Sequence, residues 1–302
     1  ATLDIKDSNL VADALFKADF NANVKQIELD ANVKKADIYK LGYYYKPLKM
    51  ASDIKFRLSG FDYESFSFDV NAKNTALISK LLVADLRELS ASYSKLSSDK
   101  REFKLKSDAA DLQIGGNFEL FNLVTVLDSL RTKIGQSFDG GKKANQPIQI
   151  PYNYKLDAAF EFKINQINSL LAVFLPELKL SPGSSFVGEL EVKKGVSLNF
   201  LADLDTIQWS NILLVENRFD FLIEKSDDER PLLGVFEANS EKQFIDKEPA
   251  TENFNIAAGW KDNVIDFEAI TKQQNEDNNA NLSGQFLVGN AEKILTFRKA
   301  EL

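Results

Sequence analysis

Apolar residues occupy every second position along most of this chain, and that alternation leaves few folds open to it. Phe16, Ala18, Phe20, Ala22 and Val24 alternate with Lys17, Asp19, Asn21 and Asn23. Phe66, Phe68, Val70 and Ala72 keep the same beat, as do Val196, Leu198, Phe200, Ala202 and Leu204. Successive side chains of a strand point to opposite faces. Each segment therefore has one apolar face and one polar face, which predicts an all-β, mainly antiparallel chain.

The first part reads as a meander. Strands are expected over Phe16 to Val24, Ile27 to Val33, Met50 to Leu58, Phe66 to Ala72, Leu89 to Tyr93, Phe103 to Ser107 and Leu112 to Leu120. Phe20 to Lys25 and Leu29 to Lys34 repeat one pattern, which suits two arms of a hairpin. The spacing then changes. Leu120, Leu123, Val124, Leu127, Leu130, Ile134 and Phe138 recur at three and four residues, predicting an amphipathic helix over 121–138. The Gly- and Lys-rich run from Asp139 to Pro147 opens a linker over 139–151. The expected organisation is thus a first sheet section over 1–138 and a second over 152–302, continuous with the first. In the second section Leu156 to Ile164 leads into a short helix over 166–174, stopped by Pro176. Strands then follow over Phe186 to Val192, Val196 to Leu204, Arg218 to Ile223, Leu232 to Ala238, Phe254 to Trp260, Ile265 to Ala269, Ala280 to Val288 and Ile294 to Phe297.

About sixteen such strands, each with roughly four inward residues, create a burial problem, because monomers rarely expose more than a few hundred Å² of contiguous apolar surface. Two helices cover only part of such a face. The sheet must curl, stack as a sandwich, or keep a groove for something apolar. Chemistry offers little other explanation. The chain has no His and no Cys, which excludes cysteine nucleophiles, Ser-His triads, thiolate or imidazole zinc sites, iron–sulfur clusters and disulfides. No phosphate loop or dinucleotide fingerprint occurs, and the expectation is a non-enzymatic protein without cofactor or metal. A net charge of −8, from 37 basic and 45 acidic residues well mixed, argues against nucleic acid. No apolar run approaches the ~18 residues of a membrane span. The chain starts at Ala1 rather than Met, which reads as a processed protein or an excised piece of a longer one.

Several segments resemble one family. They are Leu10-Val11-Ala12-Asp13-Ala14-Leu15-Phe16 through Asp37-Ile38-Tyr39-Lys40-Leu41-Gly42-Tyr43-Tyr44, Pro47-Leu48-Lys49-Met50-Ala51-Ser52-Asp53-Ile54-Lys55, and Phe174-Leu175-Pro176-Glu177-Leu178-Lys179-Leu180-Ser181-Pro182-Gly183-Ser184-Ser185. These are similar to periplasmic segments of the AsmA-like and TamB translocation-and-assembly proteins of the bacterial envelope. The resemblance implies a long curled sheet with an apolar groove, a β-taco, carrying one or two short amphipathic helices. It implies phospholipid acyl chains as cargo, an outer-membrane barrel protein as partner, and a periplasmic location within a protein anchored in the inner membrane outside this chain.

The candidate groove lining is Phe16, Phe20, Ile54, Phe56, Phe66, Phe68, Phe118, Phe160, Phe162, Phe186, Leu198, Phe200, Phe219, Phe221, Phe254, Phe267 and Phe286. Periodicity alone favours a closed core, as in a structural or adhesive β-sandwich or solenoid module; the shortage of covering helices and the resemblance favour the groove. A carbohydrate-active enzyme ranks last, with only 2 Trp, Trp209 and Trp260. The 121–138 helix caps a sheet end or acts as a lid. Tyr43, Tyr44, Tyr45, Lys46 and Pro47 form either an interfacial aromatic patch or a turn packed on the sheet. Asp227 to Arg230 and Asn275 to Asn279 read as solvated hairpin tips.

Overall fold

The computed structural model describes residues 1–21, 24–62, 65–80, 82–138, 155–225, 232–261, 263–273, 278–288 and 293–301, without the side chains of 136–138. The expected linker over 139–151, the tip Asp227 to Arg230 and most of Asn275 to Asn279 lie outside the described residues.

The chain is mainly antiparallel β. Its strands are β1 (Thr2–Lys6), β2 (Leu10–Asp19), β3 (Gln26–Asp37), β4 (Lys49–Ser59), β5 (Ser67–Ser79), β6 (Leu82–Lys95), β7 (Arg101–Ser107) and β8 (Ala110–Asn117). Helix α1 (Leu120–Phe138), β9 (Leu156–Ile164), helix α2 (Asn168–Phe174), β10 (Leu178–Leu180), β11 (Ser185–Val192) and β12 (Val196–Trp209) follow. Next come β13 (Ile212–Lys225), β14 (Leu233–Ile245), β15 (Glu248–Lys261), β16 (Val264–Gln273), β17 (Asn279–Val288) and β18 (Lys293–Glu301). Both expected helices are present. Most strands run longer than the alternation suggested, and β2 lies earlier, ending at Asp19 rather than Val24.

Two compact units emerge: 1–115 with 162–183, and 116–161 with 184–302. In the first, β2 through β7 form a continuous antiparallel meander, with β1 returning alongside β2. In the second, β11 through β18 form another.

Each meander carries a transverse rank of phase slips. In β3 the inward position jumps from Val33 to Ala36, because β3 holds one more residue there than β4. In β5 the buried positions are Ala72 and Thr75, with Asn74 between them at φ 53°. In β6, register with β5 carries the same step from Leu86 to Leu89. In the second unit, Ser240 and Gln243 are both buried, three residues apart. Their register partners, Asn217 and Leu214 in β13 and Phe254 and Thr251 in β15, step likewise. Glu216 and Asn253 sit at this rank with φ 53° each. Bulges and left-handed residues bend a strand and add twist. Aligned across neighbours, they curl the sheet about one line.

The slips also explain the polar residues on the otherwise apolar face. Asn217 Nδ2 donates to the carbonyls of Leu204 (3.0 Å) and Leu214 (3.1 Å). Gln243 Nε2 donates to the carbonyl of Ser240 (2.8 Å), and Thr251 Oγ1 donates to Gln243 Oε1 (2.8 Å). In the first unit the Ser52 and Thr75 hydroxyls bond each other at 2.7 Å, and Ser52 also reaches the carbonyl of Lys73. A buried carbonyl turned out of the ladder needs such a partner.

Candidate functional site: the apolar face of each sheet

Register shows which residues share a face. In the first unit one row runs Phe16, Leu29, Phe56, Val70, Ala91, Leu105, and the next runs Ala18, Ile27, Leu58, Phe68, Tyr93, Phe103. A third runs Ala14, Ala31, Ile54, Ala72, Leu89. The small members Ala14, Ala31 and Ala72 are buried, beneath larger neighbours. Those large members, Tyr93 apart, are only half-buried. A packed second layer would take such side chains out of solvent.

The opposite face is polar. Cross-strand ion pairs cover it: Lys55–Asp30 at 3.5 Å, Arg57–Glu28 at 3.0 Å and Lys73–Glu88 at 3.3 Å. These exposed pairs add little stability. They do fix which face is wet, since a one-residue slip along a whole strand would turn them inward.

In the second unit one row runs Gly188, Phe200, Phe221, Phe236, Ala258, Phe267, Gly284, Phe297, and the next Phe186, Ala202, Phe219, Ala238, Ile256, Ala269, Leu282, Ala300. In the second row large and small residues alternate from strand to strand, while the first sets Phe200, Phe221 and Phe236 side by side. Side chains crowd the glycines of this face. A Cβ on Gly234 would meet the Trp260 ring at 2.2 Å, and one on Gly284 would meet Phe267 at 2.9 Å. One on Gly188 would meet Phe160 at 2.5 Å and Phe200 at 2.8 Å. The rings also touch each other: Phe200–Phe221 at 4.8 Å, Phe221–Trp260 at 5.5 Å and Phe219–Phe236 at 6.1 Å between centroids. These separations suit tilted and edge-on aromatic contacts.

Burial is graded across this unit. Phe118, Leu156, Leu190, Val192, Val196 and Ile223 are fully buried, and α1 adds Leu123, Val126 and Leu130 to the same dry set. Phe200, Phe219, Phe221, Phe236, Phe267 and Phe286 are half-buried. On β18, Leu295 and Phe297 are about half exposed, at 51% and 53%. The unit thus has a closed core at one side and an open apolar face at the other.

Of the seventeen candidate residues, the strand members Phe16, Ile54, Phe56, Phe68, Phe186, Leu198, Phe200, Phe219, Phe221, Phe254, Phe267 and Phe286 fall on the apolar faces by register. Phe160 joins them over Gly188, and Phe162 is half-buried one step along β9. Phe66 precedes β5 but packs edge-on to Phe68 and tilted against Tyr93. Phe118 is interior, and Phe20 stands on a turn, 57% exposed beside Phe61. The sequence reading missed Phe103, Phe236 and Phe297, whose alternation with their neighbours was the available signal.

Among the described residues, no group of three or more acidic, His or Cys side chains is placed to hold a metal ion. No helix there is long and apolar enough to cross a membrane. The most perturbed carboxyl is structural: Asp108 accepts the Glu88 and Arg87 backbone N–H groups and the Arg87 side chain, all at 3.1 Å, which holds its pKa down to about 2. No family model, curated protein or solved structure matches this chain.

Proposed function

We propose that this chain is a non-enzymatic, lipid-handling segment of a bacterial cell-envelope protein, of the kind the AsmA-like and TamB resemblance implies. The apolar faces hold or pass phospholipid acyl chains. One observation carries the reading: rows of Phe, Leu and Ile on one face of each sheet remain half-exposed, and in the first unit ion pairs cover the opposite face. Each acyl CH₂ laid on such a face leaves water with a gain of about 0.8 kcal/mol. No residue needs to react, so the reading is indifferent to the absence of His and Cys. It carries with it a periplasmic location, an anchor outside this chain and an outer-membrane barrel protein as partner.

Native mass spectrometry of the purified protein, with organic extraction of whatever accompanies it, tests this. Phospholipid recovered in stoichiometric amount and displaced by added lipid is the expected result. Protein that neither carries nor exchanges lipid under any loading condition overturns it.

A further inference from the structure

The 38–47 loop is a built structure. Asp37, itself buried, accepts the Lys40 backbone N–H at Oδ1 (3.1 Å) and the Leu41 N–H at its carbonyl (2.9 Å). Tyr43 N–H returns to the Ile38 carbonyl at 3.0 Å through Gly42, whose φ of 81° favours glycine. Tyr44 turns inward, edge-on to Phe174 at 5.6 Å. Tyr43 and Tyr45 are held outward, 82% and 73% exposed, with Lys46 Nζ 5.1 Å from the Tyr45 ring.

The neighbouring turn joins the same end of the first unit. Ser79 Oγ donates to the Pro47 carbonyl at 3.2 Å, and Lys49 pairs with Ile78. That turn exposes Ile78, Leu82 and Val83, and α2, which lies against β5 and β6, is followed by exposed Leu175. Lys40, Lys46, Lys49 and Lys80 are exposed among these side chains, against exposed Asp85 and Glu177. A local excess of lysine thus sits within a chain of net charge −8.

We propose that this end of the first unit docks on a bilayer surface carrying anionic headgroups. The composition distinguishes that occupant from a protein. Protein interfaces are depleted in lysine. Tyrosine rings with wet hydroxyls, scattered aliphatic side chains and long lysine stems together suit the headgroup level of a membrane. Each lysine near an anionic surface raises affinity about fivefold. This inference stands on the loop and turn, not on the groove.

Flotation of the whole chain with phosphatidylcholine vesicles, with and without phosphatidylglycerol, tests it. Binding is expected to need the anionic lipid and to weaken with salt. Lys40→Ala and Lys46→Ala should each lower it about fivefold, and Tyr43→Ser with Tyr45→Ser should remove it, with the far-ultraviolet circular dichroism unchanged. A Tyr43→Trp variant should be quenched by brominated lipid. Equal binding by all variants overturns the proposal, as does a dimer in sedimentation that the same variants dissociate. Phe200→Asp should leave flotation intact while reducing co-purified lipid. Flotation that fails while lipid still co-purifies sinks the docking alone.

Discussion

Single residues in this chain matter most where they serve the curl and the aromatic face. Gly234→Ala would drive a methyl into the Trp260 ring. The expected loss is about 1–3 kcal/mol, read as a lower urea midpoint. Gly42→Ala meets no neighbouring atom and tests strain at φ 81° alone, at about 1 kcal/mol. Asn217→Leu leaves the Leu204 and Leu214 carbonyls without their donor. That should cost about 1–3 kcal/mol, with the slope of the unfolding curve unchanged. Asp108 gives a pH signature. Its folded-state pKa of about 2 lies below its ordinary value of 3.8, so its contribution is complete above pH 3.8 and is lost as pH falls through about 2. Asp108→Asn should therefore lower the thermal midpoint at neutral pH. The difference from the parent should vanish near pH 2, as followed by thermal unfolding across that range.

At the level of strands, alternation left out β1 and β10, ran β2 on to Val24, and broke off in one recurring place. It ended strands at Val33, Ala72, Leu204 and Ala238, and began others at Leu89, Arg218 and Phe254. Every one of these positions borders a phase slip. A slip inverts the parity of the alternation, so a continuing strand looks like a stop. The helices were legible because their period is different, and because Pro176 and the Gly140-Gly141 pair mark where they end. The faces were legible where parity holds, as along Phe66 to Ala72, and not where apolar residues run together, as at Leu213 to Val215. The closed side of the second unit was not, because Leu190 and Leu282 look alike in a period-two pattern although only one is dry. Asn253→Val tests the slip itself. A β-branched residue forced to φ 53° should cost about 1–2 kcal/mol. Asn253→Gly should leave stability within about 0.5 kcal/mol. Equal effects would mean that the backbone at this point is free to relax.

For the whole molecule, the groove reading predicts that function and folding separate. Phe200 lies half-buried in a row of rings. Phe200→Asp should cost moderate stability and strongly reduce lipid retention, measured by native mass spectrometry on protein shown folded by circular dichroism. Retention at the parental level in a folded variant would remove Phe200 from the lining. The rings lying over Gly188, Gly234 and Gly284 have a larger consequence. They occupy the space that side chains at those positions would take. On the proposed reading, a hydrocarbon tail laid along such rows would be held by apolar area rather than by a shaped pocket. If the proposed function holds, such a face would be a track rather than a lock, choosing its passengers by oiliness and leaving their direction to whatever stands at either end.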